Sequence, residues 1–398
     1  FKELEASLET LDIGGDSSLL GVDDQINLLR LLATKRYLWN EADGVEEVYF
    51  LAQELGKQTS LPTSHTFLLA IQAMYLHQRG EYKRAHEMAT VALGQYQRNG
   101  FVGNHGPLDV MYAIARCLLE FSRPQEALSH FDNIRNIAYQ WKQWHWYFAC
   151  DGHIMEFMTY NGKAKEALER IKVARDFVAT FDSTHQLEIF VDLAEMNIRR
   201  NLKDFDRLEK LVNRTPDIRH ARHFRMAVDE YRGRKSVVED AKKLPEKTPR
   251  DLIWKYLNDV SFNIDKENIA MPAMRKALEV GSQVGAKETF LRQRDEMGNL
   301  IIRIANDYPT VYNEEIAAAM AERMKERGNT MNEGQASLTK RELEILRQLS
   351  TGRTLTVIAG ELHISQNTMK THLKNLYKKM GADGRHDAVE KAKASFLI

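Results

Sequence analysis

Apolar residues return every three to four positions along most of the chain, a period that predicts amphipathic helices and an all-α protein. Within that pattern a unit recurs. Gly80 is followed by small residues at Ala85, Ala89 and Ala92, and Gly162 by Ala164, Ala167, Ile171 and Ala174 in the same register. Degenerate copies run through Pro124, Ala127, Phe131 and Ile134, and through Val45, Val48, Ala52 and Leu55. The aligned positions Val48, Ala85, Ala127 and Ala167 stand 37, 42 and 40 residues apart. A glycine or proline interrupts the chain between two helices, and a small residue one turn into the second lets it approach the first closely. The repeat therefore predicts helical hairpins.

Each hairpin leaves an apolar face for the next to cover, so the units are expected to stack into a superhelix with a concave surface. The spacing resembles tetratricopeptide repeats stretched beyond their usual period of about 34 residues. This TPR-like array is expected over residues 1–327, as a surface for sensing or interaction. Two further helices are expected within it, one over 277–285 ending at glycine and one over 300–305. From 328 to 337 the residues turn polar and include glycine, which predicts a linker coil before a separate domain at 338–398.

Composition narrows the class. Lys and Arg number 56 against 56 Asp and Glu, so no global field marks the chain for a polyanion or a membrane. No apolar run approaches the roughly 18 residues that a membrane span needs, and a signal peptide is not expected. Two cysteines, Cys117 and Cys150, argue for a reducing compartment, taken as cytoplasmic, and against a disulfide scaffold. The charge is uneven, however. Residues 336–398 hold 11 basic and 6 acidic side chains, whereas residues 1–335 hold 45 and 50. A basic tail on an acidic body is expected when only the tail touches nucleic acid.

That tail carries the densest pattern. Thr339 and Glu342 form a capping box ahead of Leu343, Ile345, Leu346 and Leu349. Thr354 caps a short helix with Val357, Ile358, Ala359 and Leu362, and Ser365 caps a third that ends near Met380 and Gly381. In the third, Met369, Leu373, Leu376 and Met380 make a core stripe, while Lys370, Thr371, Lys374 and Lys378 fall on other sectors. A second helix with a basic outer face, joined by a short turn to the first, suits the DNA major groove. A fourth helix is expected from about Arg385.

These blocks, from Leu338–Glu342 through Ile358-Ala359, Ile364-Ser365 and Thr368–Leu373 to Arg385–Val389, resemble the LuxR/GerE-type helix-turn-helix in order and spacing. The stretch from Ala277 to Leu291, following helical repeats, resembles the region before that domain in MalT-like regulators, the large ATP-binding LuxR group. The resemblance implies a DNA-binding transcription regulator, an activator that binds promoter DNA as a homodimer and contacts RNA polymerase, while the array receives a small-molecule or protein effector. It places Lys370, Thr371 and Lys374 at base edges and Ser365, Thr368, Lys378 and Lys379 near phosphates. It assigns the dimer contact to the fourth helix, at Arg385, Ala388, Val389 and Ala392. One position departs: Val357 stands where the family usually has Glu, so the second capping box is incomplete. MalT-like regulators also share an N-terminal nucleotide-binding domain. This chain starts at Phe1 and holds no G-x-x-x-x-G-K-[ST] run. Either that domain lies upstream, or the chain is a shorter relative without one. No cofactor is expected in the chain itself, and ATP would enter only with such a domain.

Other residues carry weaker readings. Trp141, Trp144, His145 and Trp146 lie in one aromatic run that offers either an effector platform or packing between repeats. His145 with Asp151 and His153, and His220 with His223, lack three ligands at convincing spacing, so no metal site is expected. No nucleophile–base pair or phosphate loop supports an enzyme. The alternative to a DNA-binding regulator is a TPR-like scaffold for protein binding whose C-terminal helices serve assembly.

Overall fold

The computed structural model describes residues 20–38, 42–99, 107–181, 185–215, 219–234, 246–334, 340–351, 353–362, 364–380 and 382–394. Among these residues every regular element is a helix, and none is long and apolar enough to cross a membrane. The chain divides into two compact units between Ala317 and Ala318.

Among the described residues the first unit begins with five hairpins. They pair α1 (Val22–Leu38) with α2 (Ala42–Gly56), α3 (Pro62–Arg79) with α4 (Tyr82–Arg98), and α5 (Leu108–Glu120) with α6 (Pro124–Gln140). Then α7 (Trp144–Tyr160) pairs with α8 (Ala164–Val178), and α9 (His185–Asn201) with α10 (Phe205–Arg214). Val48, Ala85, Ala127 and Ala167 all lie in second helices and all are buried. Their neighbours on the same stripe, Ala89 and Ala92, Phe131 and Ile134, Ile171 and Ala174, are buried with them. One apolar cluster runs from Ile26 to Ile198 through the first four hairpins and α9, which is how stacked repeats share a core.

The turns obey a stricter rule than the glycines suggest. After α3, α5, α6, α7 and α9 one residue takes the left-handed conformation: Gly80, Ser122, Lys142, Gly162 and Lys203. At each, the next amide reaches back to a carbonyl of the last helical turn, as Glu81 N does to Leu76 O and Arg123 N to Leu118 O. This Schellman closure satisfies helix-end carbonyls and turns the chain back on itself. Three of the five positions are not glycine.

A second regularity is ionic. Asp151 on α7 is 2% exposed and is held by Arg135 of the preceding hairpin, at 3.3 Å, and by Arg170 of its own, whose Nε donates at 3.0 Å. Asp192 on α9 repeats the bracket with Arg175 (2.7 Å) and Arg214 (2.6 Å). Asp109 on α5 takes Arg30 instead, at 2.7 Å.

After α11 (Arg219–Tyr231) the chain continues through α12 (Pro249–Phe262), α13 (Glu267–Val284), the single turn α14 (Glu288–Leu291) and α15 (Asp295–Asp307). The expected helices over 277–285 and 300–305 are the second half of α13 and part of α15. Gly285 closes α13 at φ +83°. The next helix, α16 (Val311–Gly334), crosses the division between the units. Residues 328–334, expected as coil, are therefore helical, while 335–339 lie outside the described residues. A single Gly328 costs a helix about 1 kcal/mol, which a helix already nucleated over four turns can absorb.

The aromatic run does not form one platform. Trp144 packs edge-on to Phe177 of α8 at 4.8 Å, His145 meets Phe190 of α9 at 6.2 Å, and Trp146 meets Tyr112 of α5 at 5.4 Å. Successive residues on a helix turn by about 100°, so these three face three different neighbours. Trp141 sits outside α7 at its entrance, 43% exposed. The metal candidates separate likewise. Asp151 is taken by arginines, and His153 lies 3.0 Å from the Tyr112 hydroxyl and stacks on Phe131. The side chains of His220 and His223 lie outside the described residues. Among the described residues no three His, Cys, Asp or Glu side chains gather as metal ligands.

Candidate nucleic-acid interface

The second unit ends in four helices: α17 (Lys340–Leu349), α18 (Leu355–Glu361), α19 (Gln366–Met380) and α20 (Arg385–Ala394). Their apolar faces meet in a small core of Ile345, Leu346, Leu349, Ile358, Ala359, Leu362, Met369, Leu373, Leu376, Ala388, Val389 and Ala392. The caps form as their residue types require. Thr354 Oγ1 accepts from Val357 N at 3.4 Å, and Ser365 Oγ accepts from Thr368 N at 3.1 Å. Val357 is exposed, so its departure from the family pattern leaves the core intact. Thr339 and the Leu343 side chain lie outside the described residues.

Met369, Leu373 and Leu376 bury one stripe of α19, which turns Lys370, Thr371 and Lys374 outward, all exposed. Among the described residues no carboxylate pairs with Lys370 or Lys374. Two unneutralised ammonium groups one turn apart on a solvent face form an attractive site for phosphate or for a guanine edge. Ser365 and Thr368 are exposed at the amino end of the same helix, their hydroxyls 2.8 Å apart. The side chains of Lys378 and Lys379 lie outside the described residues. His372 is half-buried.

Three contacts that local sequence pattern does not reveal tie the four helices together, one of them at α19. Gln366 Nε2 donates to Thr356 Oγ1 at 3.1 Å, joining the first turns of α18 and α19. Arg341 on α17 donates to the Leu362 carbonyl at the end of α18. Arg385 donates to the Leu349 carbonyl at 2.8 and 3.2 Å, joining α20 to the end of α17. Long polar side chains reaching helix-end carbonyls leave no periodic trace, so only the fold exposes them.

The fourth helix carries the residues expected at a dimer contact. Ala388 and Ala392 are fully buried and Val389 nearly so within this unit's own core, and Arg385 is engaged at Leu349. Within the unit these residues therefore serve its own packing. They follow the i, i+3/i+4 spacing of a helix stripe, which serves a core as readily as a dimer seam. On the other side of α20, Asp387 accepts from Lys391 at 2.8 Å and from the Asp383 amide at 2.9 Å, and both hydrogen bonds hold its carboxyl below the usual range.

Comparison with known proteins singles out this unit. The profile of the bacterial regulatory proteins of the luxR family matches residues 336–392. The HTH-type transcriptional regulators MalT of Yersinia enterocolitica and of Klebsiella pneumoniae are each 46% identical to this chain over 55 residues. That stretch is 14% of this chain and 6% of those relatives. The four-helix core, the capped α19 and its outward lysines agree with this match, and residues 336–392 are a helix-turn-helix domain of the luxR family.

Proposed function

We propose that this chain is a DNA-binding transcription regulator whose α19 enters the major groove of promoter DNA, while the hairpin array receives the signal. The observation that carries the reading is the exposed pair Lys370 and Lys374 on the outer face of α19, within a domain of luxR type. Lys370, Thr371 and Lys374 read base edges, and Ser365 and Thr368 with the lysines at 378 and 379 hold phosphates. The protein acts as an activator, binding as a homodimer and touching RNA polymerase. Because Ala388, Val389 and Ala392 face the unit's own core, the dimer contact uses the outer face of α20. In this reading the chain works without a metal or cofactor of its own and catalyses no reaction, and its effector binds the array.

The test is retardation of duplex DNA by the full chain across a range of salt. Steep loss of affinity with rising salt, and competition by unlabelled duplex, supports the reading. Absence of binding to any duplex at low ionic strength would leave the scaffold alternative.

A further inference from the structure

The segment after the hairpins folds back on them. Arg250, in the first turn of α12, donates to the His77 carbonyl at 3.0 Å and to Gln78 Oε1 at 2.8 Å, at the end of α3. Lys287 N donates to the Glu120 carbonyl at 2.7 Å, and Thr289 Oγ1 to the Glu120 carboxylate at 2.9 Å, at the end of α5. Arg292 pairs with Glu156 at 3.0 Å in the last turn of α7. Residues 248–294 thus cross the carboxyl ends of three successive first helices. There, exposed carbonyls concentrate negative potential that arginine and amide donors complement.

We propose that this segment is a releasable clamp: it fixes α3, α5 and α7 in one arrangement and lets go as a unit when the array answers its signal. The proposal rests on the signal-receiving role given above to the array. Two observations support release over permanent packing. The apolar cluster that runs from Ile26 to Ile198 includes no buried side chain from residues 248–294, and the hydrogen bonds and ion pair named above hold the clamp to the ends of α3, α5 and α7. Polar contacts can be exchanged for water, whereas a shared apolar core opens only with the whole unit. The closed arrangement also leaves buried groups without partners. Neither ring nitrogen of His77 is hydrogen-bonded, nor is the Tyr37 hydroxyl, and the His77 ring lies edge-on to Tyr37 at 5.4 Å. Such orphaned groups oppose the state that buries them, and opening beside Arg250 gives them water.

Hydrogen exchange on the full chain tests the clamp. Amides of α12 to α14 are expected to exchange at least tenfold faster than those of α5 and α7. Lys83→Ala, which removes the exposed hydrogen bond to the Ser282 carbonyl (2.8 Å) and the packing of the Lys83 stem beside Gly285, should widen the gap about threefold. Arg250→Ala should widen it further without changing α5 and α7. One common rate for clamp and hairpins in the unaltered protein would overturn the proposal. The regulatory half is read as a shift of at least threefold in half-saturation of a random-sequence duplex pool by Arg250→Ala, and an unchanged value overturns it. If no form retards the duplex, DNA binding itself fails, while the exchange rates still decide whether the clamp opens.

Discussion

Arg385 and Leu349 are joined by two hydrogen bonds, at 2.8 and 3.2 Å, from one guanidinium to one carbonyl. The carbonyl belongs to the last residue of α17 and the guanidinium to the first of α20, so the pair closes the four-helix unit. Hydrogen bonds from a charged donor contribute roughly 1.5–3 kcal/mol. Arg385→Ala should lower the stability of the C-terminal unit by about that amount, measured by chemical denaturation. An unaltered midpoint combined with changed DNA stoichiometry would return Arg385 to a dimer role.

Lys370→Ala and Lys374→Ala should each weaken duplex binding while leaving the melting temperature unchanged, since both side chains are exposed. A lysine that reads a base is expected to cost about 1–3 kcal/mol on the preferred site and to relax sequence preference there. One that touches only phosphate lowers affinity evenly and reduces the salt slope by about one. Titrations at several salt concentrations separate the two roles.

Lys203 holds φ at +57° in the turn from α9 to α10. An L-residue in that conformation costs on the order of 1 kcal/mol relative to glycine. Lys203→Gly should therefore raise the thermal midpoint, provided the gain exceeds the added freedom of the unfolded chain. Gly80→Ala should do the reverse and more severely, because a Cβ there would also lie 2.8 Å from the backbone nitrogen of Arg250.

Acid should destabilise the first unit earlier than its carboxylates alone would dictate. Burial, reinforced by Arg116, Arg250 and His153, holds the His77 imidazole well below its ordinary value near 6.5. Its neutral form is therefore the folded form. Stability is full above about pH 6.5 and declines below it, as the unfolded chain takes a proton that the folded one refuses. Glu156 follows at lower pH. Burial pushes its carboxyl up, but Arg292 and His153 together hold it well below the usual range, so its contribution is lost as pH falls from the ordinary carboxylate value. Denaturation midpoints at pH 7.5 and 5.5 should differ, and His77→Phe should shrink the difference. Equal sensitivity in the variant would discount His77.

The hairpins were legible because their information is local. Val48, Ala85, Ala127 and Ala167 each lie on a short periodic stripe, and the same holds for Met369, Leu373 and Leu376 in α19. The left-handed turns at Ser122, Lys142 and Lys203 escaped because a reading keyed to glycine overlooks residues that tertiary packing forces into that conformation. The return of residues 248–294 to the hairpins was invisible for a different reason. Arg250 meets His77 and Arg292 meets Glu156 across well over a hundred residues, and neither arginine differs locally from a solvated one. On α20 the spacing of Ala388, Val389 and Ala392 was visible, but spacing alone does not say which surface a stripe will meet.

The arginine brackets around Asp151 and Asp192 bear on how such a protein could grow or shrink. Each carboxylate takes one cation from the hairpin before it and one from its own, so loss of one whole hairpin would leave Arg135 to meet Asp192 in place of Arg175, whereas loss of half a hairpin strands an ion. Lengthening by duplication keeps every charge matched only when the copied block is whole and lands beside another of its kind. Mixed insertions from unrelated helical pairs would carry an uncompensated ion at each seam.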